Sequence, residues 1–163
     1  MRRAAPEAES VGVTVALETH DAFSSARRVG AILEAVGSTH VQAIWDVHHP
    51  YRVGESVEEV MHAFGGIAHI AHVHVKDARR SVKSSHADRS LSPSSRSGSD
   101  GPEWELVPVG EGDVPVAAAL EALRTYGYHG YVSVEWEKKW HPEIAEPEVA
   151  LPQHIAWLRS HAG

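Results

Sequence analysis

The sequence contains no cysteine, and that one absence removes disulfides, thiolate nucleophiles and Cys-ligated zinc together. Any metal site in this chain must be built from oxygen and imidazole. No run of about 18 apolar residues occurs either, so no membrane-spanning helix and no membrane partner are expected. The opening MRRAAPEAES turns acidic after two arginines with no apolar stretch behind it; it does not read as a signal peptide, and a cytoplasmic location is the expectation. Positive charge is scarce. Fifteen Lys and Arg stand against 22 Asp and Glu, a formal charge of −7, which leaves no basic face for nucleic acid. With 163 residues, 42% apolar and 23% charged, the chain has the make-up of a single globular domain over residues 1–163.

Four short apolar, β-branched runs read as strands: VGVTVALE (Val11 to Glu18), VQAIWD (Val41 to Asp46), IAHVHVKD (Ile70 to Asp77) and YVSVEW (Tyr131 to Trp136). Helical stretches lie between them. Asp21 to Val36 has apolar residues at helical spacing and stops at Gly37. Ser56 to Phe64 opens with a capping box, SVEE. Val114 to Tyr126 follows a cap at Asp113, and Glu148 to His161 must bend or restart at Pro152. Strand then helix, four times over, with strands apolar nearly throughout, predicts parallel β-α units covered on both faces. One segment breaks the rhythm. Arg79 to Gly101 is serine-rich, polar and aperiodic, and is expected to be a disordered loop inserted in the domain.

The chemistry gathers at the strand ends. Glu18 and Asp46 are 28 residues apart, Asp46 and His74 are again 28 apart, and 61 residues separate His74 from Glu135, the serine-rich insertion lying between. A β-α unit takes about 30 residues, so one metal-ligating side chain arrives at the carboxyl end of each successive strand, where parallel sheets and barrels build their sites. Alternation places His72 and His74 on one face with Ile70, Ser133 with Glu135, and Ala16 with Glu18. Taken singly, each residue has a plainer account as a cap or a solvated side chain. His48 and His49 then make a turn before Pro50, Glu137-Lys138-Lys139 an exposed charge run, and His40, His62, His129 and His161 carry no role. Taken together, two Glu, one Asp and one His at matched strand ends would cost several kcal/mol as buried charge without a cation between them. Spacing by itself does not choose His74 over His72, or His49 over His48.

The stretches ALETHD, WDVHHP, HVHVKDARR, GEGDVP and YVSVEWE resemble the sugar phosphate isomerase/epimerase family, the xylose isomerase-like barrels. The resemblance implies an α/β fold, a (β/α)₈ barrel of which this chain supplies four units corresponding to strands five to eight. It implies Glu18, Asp46, His74 and Glu135 as ligands of a divalent metal (Mn²⁺, Mg²⁺, Co²⁺ or Zn²⁺), and His49 and Arg80 as contacts to substrate oxygens. It further implies a metal-dependent isomerase or epimerase of a sugar or sugar phosphate, with Glu18 and Glu135 as catalytic groups moving a proton through a metal-stabilised enediolate. An inosose dehydratase-like lyase on a cyclitol, an endonuclease IV-like phosphodiesterase and a non-catalytic half-barrel are the competing readings; the charge of −7 argues against the nuclease. Half a barrel leaves apolar parallel edges, so a homo-oligomer, or association with a missing N-terminal half, is expected.

Overall fold

The computed structural model describes residues 1–81 and 104–161. Four strands, β1 (Val15–Glu18), β2 (Val41–Asp46), β3 (Ile70–Val75) and β6 (Val132–Val134), form one sheet in the order β1-β2-β3-β6. All its pairings are parallel. Around them stand α1 (Ala5–Ser10), α2 (Ala26–Val36), α3 (His48–Arg52), α4 (Val57–Ala63), α5 (Val116–Thr125) and α6 (Pro147–His161). This is an α/β fold with a parallel sheet, a partial barrel. A separate antiparallel ribbon, β4 (Asp77–Arg80) with β5 (Trp104–Val107), follows β3.

Among the described residues, helices cover one face of the sheet only. Val41, Ala43, Trp45, Val73 and Val75 are at most 1% exposed and pack with Leu33, Val29, Phe64 and Ala119 from the helical layer. The opposite face carries Gln42, Ile44, His72, His74 and Ser133, all half-buried. The expected cover on both faces is therefore corrected: apolar residues alternate with polar ones because only the helix-facing side is sealed. The grouping of Ile70 with His72 and His74 also changes. A register shift pairs Ile70 with Ala43 but His72 with Ile44, so a bulge turns Ile70 into the apolar core.

Local chemistry sets the boundaries. Ser25 caps α2 by accepting from Arg28 N–H, and Gly37 closes it in the left-handed region at φ 66°. Ser56 and Glu59 form the reciprocal capping box of α4. The first strand is shorter than its apolar run, because α1 and the turn at Gly12 (φ 68°) take up the preceding residues. The Asp21–Val36 stretch divides into a 3-10 turn over Asp21–Phe23 and α2. Asp113 does not cap α5, whose N-cap is Pro115; the Asp113 carboxylate instead accepts from Arg80 N–H at 2.7 Å. Pro152 neither breaks nor restarts α6. It sits in the second turn, where the carbonyl it frees belongs to the exposed Glu148. Arg79 and Arg80, expected to open the loop, instead lie in β4 and pair with Glu105 and Trp104; the rest of that expectation, up to Gly101, falls almost wholly outside the described residues.

Candidate metal centre

Parallel register brings the strand ends to one place. Asp46 is opposite His74, His74 is opposite Ser133, and Glu18 is opposite Ile44. Glu135, one residue past β6, is tied in by its N–H to Val75 O at 3.0 Å. Glu18, Asp46, His74 and Glu135 consequently each offer one ligand atom within 4.8 Å of one another. His74 Nδ1 lies 2.9 Å from Glu18 Oε1 and 3.1 Å from Glu135 Oε2. Thr19 fixes the end of β2: its hydroxyl accepts from Asp46 N–H at 2.9 Å and donates to Asp46 O at 3.2 Å.

The donor set suits a cation. Asp46 is fully buried, and its Oδ2 accepts no hydrogen bond; Lys76 Nζ stands 3.2 Å away as an ion pair, off the direction of a hydrogen bond. Three carboxylates and one imidazole form an oxygen-rich set that fits Mg²⁺, Mn²⁺, Co²⁺ or Zn²⁺. The electrostatics of the cluster are strained. Burial pushes the Asp46 carboxyl well above the ordinary carboxylate range, against the pull of Lys76. Burial acts in the same sense on Glu135, but hydrogen bonds from His74 and Lys76 outweigh it and hold Glu135 below that range. The hydrogen bond to Glu135 raises His74, aided by Glu18 and opposed by burial.

The remaining expected site residues divide. His49 is buried on α3, its Nε2 3.7 Å from Asp46 Oδ2, and its ring packs on His20 at 4.4 Å. His48 is buried too, edge-on to Trp104 at 5.3 Å. Neither histidine is the solvent-facing turn of the plainer account. Burial, reinforced by Lys76, lowers His48 to about 3 and His49 to about 2, so both rings are neutral. Arg80 is not gathered with the four. It is exposed on β4, its guanidinium 5.2 Å from the centre of the Trp104 ring.

Sequence reasoning missed Lys76. Only 2% exposed, its ammonium lies 2.8 Å from Glu135 Oε1, contacts Glu137 Oε1 and sits 3.5 Å from His49 Nε2. Glu137 is likewise no solvated charge: its side chain is 21% exposed and its other oxygen lies 3.4 Å from His141. Lys138 is half-buried, donating to Pro142 O and Ile144 O, and of that run only Lys139 is exposed. The available sign was periodicity, because Lys76 and Glu137 each fall two residues after a ligand and so return to its face.

Residues 1–161 match the family model described as the xylose isomerase-like TIM barrel. The chain belongs to that family. Among solved structures with this xylose isomerase-like fold, the IolI protein with a bound zinc atom is 20% identical at a TM-score of 0.70, the match covering 99% of this chain and 53% of that one. L-ribulose 3-epimerase is 18% identical at 0.69, covering 99% and 51%. A xylose isomerase-like TIM barrel protein from Mycobacterium smegmatis, in complex with magnesium, is 14% identical at 0.67, covering 99% and 48%. The chain thus spans about half the length of these structures. No curated protein sequence matches it. No helix among the described residues is long and apolar enough to cross a membrane.

Proposed function

We propose that Glu18, Asp46, His74 and Glu135 hold one divalent cation, and that the chain carries the metal-binding half of an isomerase or epimerase acting on a sugar, sugar phosphate or cyclitol. The observation that carries this reading is the convergence of four ligand atoms, from the ends of the four neighbouring strands of the sheet, within 4.8 Å. Family membership supports it, as do the zinc and magnesium in two structures of the same fold. When bound, the cation supplies Lewis-acid polarisation of a carbonyl and its neighbouring hydroxyl.

The protein's own residues then move the proton. Glu18 and Glu135 flank His74 from opposite sides of the sheet order, on β1 and after β6. One carboxylate takes a proton from the carbon next to the carbonyl, and the other returns one to the opposite face. His49 and Arg80 bind substrate oxygens, the neutral imidazole as donor or acceptor and the guanidinium as a donor fork whose N–H groups also suit the oxygens of a phosphate. The other substrate walls come from association through the sheet edges, with a second copy or with four further β-α units of the kind these longer structures carry.

The test is metal content and proton exchange together. Protein freed of metal and refilled with Mn²⁺ should bind one ion per chain, Glu135→Gln and Asp46→Asn should lose it, and ketose substrates should exchange one C–H with solvent deuterium. Exchange without loss of water marks isomerase or epimerase chemistry, and loss of water marks the lyase. Full metal load in Glu135→Gln would refute the ligand set.

A further inference from the structure

Lys76 lies two residues after His74 and one past β3, its ammonium turned toward the cluster. At 2% exposure, a lysine is tolerated only beside opposite charge. It has three such partners: Asp46 Oδ2 at 3.2 Å, Glu135 Oε1 at 2.8 Å, and Glu137 Oε1, the nearest of the three. Two of the three belong to the four-residue cluster; Glu137 does not. The ammonium thus occupies the charge position that a divalent ion would claim on Asp46 and Glu135, while a third carboxylate outside the cluster offers it a place to retreat.

We infer that Lys76 is a built-in counter-cation that competes with the divalent ion for Asp46 and Glu135 and yields by withdrawing onto Glu137. The inference rests on the metal-binding reading above. Its physical content is a trade. Without metal, Lys76 offsets the mutual repulsion of Glu18, Asp46 and Glu135 and keeps the strand ends together. With metal, the same positive charge lies close enough to repel the incoming ion. Removing it should therefore weaken the metal-free fold and tighten metal binding, two effects that a merely structural lysine would not couple in opposite directions.

The experiment uses the full chain, stripped of metal, as wild type, Lys76→Met, Glu137→Gln and the double variant. Each is melted without metal and titrated calorimetrically with Mn²⁺. Lys76→Met should melt lower than wild type without metal, bind Mn²⁺ at least about tenfold tighter, and show the larger Mn²⁺-induced rise in Tm. Should Lys76→Met fail to fold, the double variant, in which the lysine and its nearest carboxylate leave together, should bind Mn²⁺ tighter than Glu137→Gln. A silent wild type beside a Lys76→Met that binds also supports the inference, since the ammonium then holds the site outright. Equal or weaker Mn²⁺ binding on removal of Lys76 overturns the inference and leaves the metal reading standing. Absence of Mn²⁺ binding in wild type and variants alike overturns both.

Discussion

Gly112 N–H donates to Asp77 Oδ2 at 3.0 Å, and a Cβ placed on Gly112 would fall 2.1 Å from Asp77 Oδ1. The same buried carboxylate accepts from Ala78, Gly110 and Val114 N–H groups at 2.8–3.2 Å. One side chain therefore organises the whole GEGD loop, which through Asp113 holds the Arg80 backbone. Gly112→Ala and Asp77→Ala should each destabilise the fold by about 2–4 kcal/mol, the first by clash and the second by stranding four amides. Chemical denaturation of the two variants checks this; a loss under about 0.5 kcal/mol, the range of neutral surface changes, would show that the loop is pinned elsewhere.

Helices α2 and α4 meet at Gly30, where an added Cβ would lie 2.3 Å from Ala63 O. Gly30 has helical geometry, so Gly30→Ala improves propensity by about 1 kcal/mol. The backbone carbonyl cannot move aside without shifting α4, and overpacking of this kind costs about 1–3 kcal/mol. The expected net effect is a lower Tm, and a raised Tm would show that the helices separate freely.

Thr19 Oγ1 bridges the N–H and C=O of Asp46 without touching the position where ligand atoms converge. Thr19→Val keeps the shape but removes both bonds. By the usual weight of groups that orient ligands, Mn²⁺ affinity should fall about ten- to a hundredfold. Unchanged affinity by calorimetry would mean that Asp46 is held without Thr19, by burial and by the His48 N–H that donates to its Oδ1 at 2.8 Å.

His154 gives a pH dependence that is separable from the metal centre. It is 1% exposed on α6, accepts from Val109 N–H through Nδ1 at 3.1 Å, and meets Trp136 edge-on at 5.0 Å. Burial lowers its pKa, with the Glu111 charge opposing. The folded state thus disfavours the charged ring while the unfolded chain protonates near about 6.5. Its contribution to stability is complete above that value and is lost as pH falls below it. Tm measured from pH 8 to pH 5 should drop more steeply for wild type than for His154→Leu; parallel curves would refute the assignment.

What could be read from residues alone was whatever local chemistry dictates. The 28-residue interval put Glu18 and Asp46 at the last residues of β1 and β2 and His74 one residue before the end of β3, and the caps at Gly37 and Ser56 stand where turn and box preferences put them. Partners distant in sequence were hidden. The β5 strand, WELV, has no meaning until Asp77–Arg80 arrives beside it. His48 to Arg52 becomes helical only where β2 delivers it under Trp104 and His20. Glu137 reads as part of an exposed charge run and Lys76 drew no reading of its own, because one chain position does not reveal that Asp46, Glu135 and Glu137 gather around the Lys76 ammonium.

The border strands have a consequence of their own. Among the described residues, β1 and β6 are hydrogen-bonded along one side only, and every strand of the sheet runs in the same sense. A chain that continues the curve in that sense cannot double back through a tight hairpin; it must come from afar, by a crossover or from a separate polypeptide. The fold therefore selects its neighbour by direction before any side chain is consulted.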